Sequence, residues 1–290
     1  MAVQNSLQKA NQRLGLSAYL TKDAVRDQIN KVVGGKDGQR FISAIVSATN
    51  TNSMLQECTN QSILSAALLG ESLKLSPSPQ LGHYYLVPFN DKAKGKVAQF
   101  QLGYKGYVQL AIRSGQYKKM NVMAIKEGEL EYFDPLNEDI KINLKNDDWD
   151  EREKLPTIGY YAFFELVNGF RKAIYWSKAQ MEGHAMKYSQ GYRNDKLKGT
   201  AYTFWSKSFD DMAYKTMLRQ LISRWGIMSI EMQTAFEGDM AIINDDGSKS
   251  YVETDEENIV IDADGVVIEE EKTESSANDA QTALFGQSGV

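Results

Sequence analysis

Cysteine is all but missing from this chain. Cys58 is the only one in 290 residues, so no intrachain disulfide can form, and a reducing, cytoplasmic setting is the expectation. Histidine is nearly as scarce, with only His83 and His184, and one thiol beside two imidazoles cannot assemble a Cys/His zinc cluster. No run of about 18 apolar residues occurs, so no segment is suited to cross a bilayer as a helix. The opening MAVQNSLQKANQRLG lacks an apolar h-region, and a secretory leader is not indicated. The G-x-x-x-x-G-K-[ST] loop of a nucleotide site is absent too, as is any visible nucleophile, dyad or metal cluster. No catalytic residue, metal or cofactor is therefore assigned.

What is present is a globular composition, 42 % hydrophobic and 10 % aromatic, in a length that allows one large or two small domains. The net charge of −5 hides a split. Residues 1–237 carry 31 Lys and Arg against 24 Asp and Glu, whereas residues 238–290 carry 2 against 14. A basic body thus precedes an acidic, aromatic-poor tail that reads as disordered, and an acidic total says nothing against a polyanionic partner. Within the body, residues 1–40 read as peripheral. Near the end of the tail, Ala283, Leu284 and Phe285 form a short apolar motif suited to hooking a partner.

The stretch around residues 97–119 concentrates the functional signal. Val97, Gln99 and Gln101 alternate with Ala98, Phe100 and Leu102 as in a half-buried strand. Gly103 breaks that period, and from Tyr104 the spacing becomes helical until Gly115, with Lys105, Gln109 and Arg113 in one stripe. Lys118 and Lys119 follow, and between residues 92 and 126 there are eight cations and no acid. Such a surface suits phosphate, although a solvated helix face has the same composition. A second basic region, residues 171–224, holds 11 cations against four acids. Tyr188, Tyr192, Tyr202, Phe204 and Trp205 are interleaved there, and cations with flat rings are what single-stranded nucleic acid requires, though most of these rings are expected in the core.

The remaining elements are read from local rules. Thr21 is expected to cap a helix over residues 22–33, and further helices are expected around residues 41–46 and 60–73, with Cys58 in or near the core. Residues 83–89 and 96–102 read as a hairpin, residues 118–125 as a strand and residues 141–145 as a short exposed one. The acidic run NDDWDEREK reads as a solvated loop. Asn168-Gly169 predicts a two-residue type I′ turn that places Glu165 opposite Lys172 and Phe163 opposite Ile174. Ser177 and Gln180 form a capping box that starts a helix containing His184. Residues 189–200 read as a polar basic loop, and a last strong helix runs from about Ser208 to Trp225, with Lys215 and Arg219 as i, i+4 neighbours off its apolar face.

The blocks FQLGYKGYVQLAIRSGQY, VNGFRKAIYW, DDMAYKTMLRQLISRWGI and MSIEMQTA resemble the RecT family of phage and prophage single-strand annealing proteins, over roughly residues 40–236. That resemblance implies an α+β fold, a small antiparallel sheet with helices on one side and a helical N-terminal lobe. It implies an oligomer, a filament or ring, that coats single-stranded DNA and pairs complementary strands into duplex without ATP, beside a 5′→3′ exonuclease and a host single-strand binding protein. Carried over by motif, Gln101, Tyr104, Lys105, Arg113, Lys215 and Arg219 would contact DNA, with Lys207 a weaker match. Two alternatives stay open at this point, a protective single-strand binding protein that does not anneal and a metal-dependent nuclease using Asp210 or Asp211.

Overall fold

Apolar spacing at three and four residues builds the N-terminal lobe. In the computed structural model, which describes residues 15–34, 37–91, 94–145, 148–244 and 248–251, helices α1 (Leu16–Leu20), α2 (Asp23–Val33) and α3 (Gly38–Asn50) bury Leu20, Val25, Ile29, Phe41 and Ile45 together. The stretch expected to be peripheral therefore contributes Leu20, Val25 and Ile29 to the core. Thr21 does not cap α2. It ends α1, with Oγ1 donating to the Ala18 carbonyl at 3.1 Å, and Lys22 takes the N-cap of α2. Helix α4 (Asn60–Ser72) is buried nearly all round because it separates the lobe from a sheet. Its Ser62 Oγ, which donates to the Thr59 carbonyl, accepts from the Ala98 amide at 2.8 Å. Cys58 is buried just before it.

β1 (Tyr84–Asp91) and β2 (Gly95–Leu102) form the expected hairpin, and α5 (Tyr104–Ser114) follows, ended by Gly115 in the left-handed conformation. The chain continues through β3 (Tyr117–Lys126), β4 (Leu130–Asp134), β5 (Asp139–Ile142), α6 (Trp149–Lys154), β6 (Thr157–Leu166) and β7 (Arg171–Ser177). Helices α7 (Lys178–Tyr188), α8 (Gln190–Lys198), α9 (Phe204–Lys207), α10 (Phe209–Trp225) and α11 (Ile230–Gly238) precede two short strands, β8 (Ala241–Ile243) and β9 (Lys249–Tyr251). The fold is α+β as expected, with the strands shared among antiparallel sheets ordered β1-β2-β8-β9, β3-β6-β7 and β4-β5. Among the described residues no helix is long and apolar enough to cross a membrane.

Two segments read as loops are helices. Asp148 caps α6 by accepting from the amides of Asp150 and Glu151, and the buried face of α6 is supplied by Arg152, whose guanidinium meets the fully buried Glu129 at 2.6 Å. An apolar stripe is thus replaced by an ion pair, which hydrophobic periodicity cannot reveal. Ser189 caps α8 and Gly199 ends it with φ +65°; its polar composition hid it. The capping box at Ser177 and Gln180 is present.

The β6–β7 turn differs by one residue from its expected form. Leu166 N donates to the Phe170 carbonyl and Gly169 N to the Leu166 carbonyl. This leaves a three-residue loop in which Gly169, φ +87°, takes the left-handed position. Glu165 consequently faces Arg171 and Phe163 faces Ala173. A one-residue slip exchanges the faces of a strand, so Ile174 and Trp176 turn to the core beside Ala162 and Tyr160.

The third difference is where the body ends. The acidic tail was expected from residue 238, yet Asp239 is buried and binds three elements at once. Its Oδ1 accepts from the Leu102 amide at 2.9 Å and from Lys215 Nζ at 2.9 Å, and its Oδ2 from the Tyr107 hydroxyl at 3.1 Å and Arg219 Nη1 at 2.7 Å. β8 then pairs with β2 and β9 with β8, so the described fold continues to Tyr251. The rest of the expected tail, with residues 283–285, lies outside the described residues.

Three measurements check this packing. A Cβ on Gly106 would sit 2.1 Å from the His83 carbonyl oxygen, a backbone atom that cannot step aside, so Gly106→Ala is expected to lower stability by about 1–3 kcal/mol in urea unfolding. Asp239→Ala strands a buried ammonium, and a loss of about 3–5 kcal/mol is expected; a chain ending at residue 237 should share the defect, whereas one ending at 252 should melt like the full chain. His184 packs between Trp176 and Tyr188, and burial, then the positive charges of Arg219 and Lys187, push its pKa down to about 4. The unfolded imidazole takes a proton near pH 6.5 that the folded one refuses until about 4, so stability falls as pH drops through that window, by about 2 kcal/mol between pH 7 and pH 5. Substituting His184→Gln should flatten that slope.

Candidate nucleic-acid interface

Half-buried and exposed rings lie beside cations where β2 hands over to α5. Gln101 lies opposite Tyr85 in the β1–β2 ladder. Tyr104 opens α5, and its ring meets Tyr214 of α10 edge-on at 5.6 Å. The Lys105 stem lies against Gly82, with its ammonium 5.9 Å from the centre of the Tyr104 ring. From the other side α9 brings Phe204 to within 5.4 Å of Tyr85, and Lys207 is exposed at the end of the same helix. Burial, with the Asp211 carboxylate nearby, raises the pKa values of both Tyr85 and Tyr104. That carboxylate repels phosphate, so the rings here are better placed for bases than for a sugar-phosphate backbone.

Farther along α5, Gln109 is half-buried and Arg113 donates to the Leu73 carbonyl at 2.6 Å. Burial, then the charges of Arg113 and Lys105, lower the pKa of His83, whose Nδ1 accepts from the Ser76 amide. The two ends of the expected stripe thus lie against the segment 73–83, Lys105 at Gly82 and Arg113 at Leu73. At its far end a cavity of about 230 Å³ includes Leu73, Lys74, Arg113, Ser229 and Glu231. Glu231 sits in the first turn of α11, where backbone and Ser229 hydrogen bonds hold its carboxyl below the usual range.

Lys118 and Lys119 belong to a different surface, the outer side of sheet β3-β6-β7. Lys118 Nζ is 2.6 Å from Glu165, and Arg171 reaches the same carboxylate at 3.6 Å. These cations, Lys118 first, depress the Glu165 pKa. Lys172, expected opposite Glu165, instead lies 4.1 Å from the centre of the Trp225 ring and pairs with Glu138.

Lys215 and Arg219 are not an exposed pair. Lys215 is 6 % exposed and desolvation lowers its pKa, while Arg219 is held by Asp239 and Tyr107 and packs on Phe236 at 5.3 Å. The i, i+4 spacing was read correctly, but the face carrying them turns inward to a carboxylate beyond the expected end of the body. Other cations of residues 92–126 are also engaged: Lys94 with Asn244 and Ser250, Lys96 with Glu57, and Lys126, buried, with Glu153. Asp210 accepts from the Tyr160 hydroxyl at 2.6 Å. Among the described residues no group of three or more His, Cys, Asp or Glu is placed to hold a metal. Sequence reasoning did not single out Tyr85; the observed β1–β2 register, Tyr84 with Leu102, is what places it opposite Gln101. Nothing local marked Asp239.

A family model described as the RecT family matches residues 39–277. A protein of Bacillus subtilis (strain 168) described as uncharacterized protein YqaK is 39 % identical over 244 residues, covering 81 % of this chain and 78 % of its own length. Protein RecT of Escherichia coli (strain K12) is 31 % identical over 188 residues, 64 % of this chain and 65 % of that protein. The matched region takes in α5, α10 and the Asp239 junction that joins them, and on that extent of similarity the chain belongs to the RecT family.

Proposed function

We propose that the protein binds single-stranded DNA and anneals complementary strands without ATP, in phage homologous recombination. The observation that carries this reading is the surface where Tyr85, Tyr104, Lys105 and Phe204 meet, with Lys207 exposed at the end of α9, in a chain of the RecT family. Two DNA strands repel each other, and cations beside accessible ring edges lower that repulsion while holding one strand ready for the other. Pairing itself then supplies free energy, about 1.4 kcal/mol of stacking per base-pair step, so no nucleotide hydrolysis is required. On this reading Gln101, Tyr104, Lys105, Gln109, Arg113 and Lys207 contact the strand, and Lys118 and Lys119 offer a further basic patch. Lys215 and Arg219 act indirectly, by fixing α10 and α5 to Asp239. The reading extends to a homo-oligomer working in the cytoplasm with a 5′→3′ exonuclease and a host single-strand binding protein.

Fluorescence anisotropy with a labelled oligonucleotide, followed by its unlabelled complement in nucleotide-free buffer, tests the proposal. Binding and then duplex formation faster than the protein-free control are expected; binding that protects the strand without speeding pairing would leave a coating protein. Lys105→Ala should weaken binding and flatten the log–log salt dependence by about 0.7 for one lost phosphate contact. An unchanged slope would take Lys105 off the phosphate path.

A further inference from the structure

The segment between α8 and α9 is an irregular loop with an unusual amount of hydrogen bonding invested in it. Asp195, on the buried side of α8, receives five donors. Oδ1 accepts from Thr200 Oγ1 at 2.7 Å, and Oδ2 accepts from the amides of Tyr202 and Thr203, Thr203 Oγ1 and Ser206 Oγ, all within 3.0 Å. These bonds, led by that from Thr200, hold the carboxyl ionised far below its ordinary range. Beneath the loop, Trp205 packs against Phe209 at 5.2 Å and anchors it to the core. What this framework displays is apolar. Tyr202 is 72 % exposed, and among the described residues its ring meets no other ring and its hydroxyl no hydrogen-bond partner. Two residues on, Phe204 is 39 % exposed beside Tyr85.

A large ring left in water on a rigidly bonded loop is preorganised for a flat partner, since its backbone entropy is already spent before binding. We propose that Tyr202 is a base-stacking residue for single-stranded DNA and that Asp195 is the residue that positions it. This rests on the single-strand reading above. The neighbouring side chains agree with it: Lys198 and Lys207 are exposed on either side of the loop, supplying cations for phosphates flanking a stacked base.

The test compares an ordinary oligonucleotide with an abasic one of equal length, across a salt series. Tyr202→Ala should bind the ordinary strand on the order of 10-fold more weakly, with an unchanged salt slope, and bind the abasic strand as the wild type does. Tyr202→Phe should retain wild-type affinity. Asp195→Asn should show the loss seen in Tyr202→Ala, and the double variant should be no worse than Tyr202→Ala alone, since both act through one ring. If Asp195→Asn melts below the assay temperature, Ser206→Ala removes a single donor and should give a smaller loss of the same pattern. Equal losses on both strands, or none on the ordinary one, overturn the inference, as does a change in oligomer size without a change in strand preference. A wild-type chain that binds neither strand defeats the single-strand reading itself.

Discussion

The Asp239 carboxylate is the constraint around which the body is organised. It ties the end of β2, the first turns of α5, the middle of α10 and the chain leaving α11 into one buried junction. A charge withdrawn from water to this degree is tolerated only when its oxygens are saturated by donors and its charge is matched. Here two cations, a phenol and an amide do so, and loss of any partner leaves the others exposed to the full penalty of desolvation. The orientation of α5, and with it the direction in which Lys105 and Arg113 point, follows from this junction. So does the position of β8 on the edge of β2.

Two other buried carboxylates repeat the same device on a smaller scale. Glu129 fastens α6 and the approach to β4 through Arg152, with the Lys126 and Lys145 amides completing its shell. Asp195 fastens the loop before α9. In each case an acid that sequence counting enters as charge on a surface is an internal clamp. The basic body therefore shows solvent a different set of charges from the one its composition suggests. Exposed cations with no ion pair among the described residues, notably Lys105 and Lys207, are the ones left to meet a polyanion.

Much of the fold was legible locally because its causes are local. The change of period at Gly103, the left-handed stop at Gly115 and the reciprocal bonds of Ser177 and Gln180 all act within a few residues. The two helices mistaken for loops carried caps that were readable, Asp148 for α6 and Ser189 for α8. They were hidden because one buries an ion pair and the other few apolar groups, so neither shows the hydrophobic stripe that announces a helix. The β6–β7 turn shows a finer limit. Asn168-Gly169 is read correctly as a turn, but whether two or three residues close it depends on which face of β7 the core accepts, and Ile174 and Trp176 decide that.

For the candidate interface the division is sharper. The sequence by itself determined the residue types, their spacing on α5 and α10, the exclusion of an intrachain disulfide and of a Cys/His zinc cluster, and the family motifs. It did not determine which cations are free. Lys105 and Lys215 look alike in sequence, each a helical lysine among aromatics, yet one lies in solvent and the other meets a carboxylate 24 residues away. Coulomb energy and desolvation depend on distance and burial in three dimensions, and only the tertiary structure brought Asp239 to Lys215 and Phe204 to Tyr85.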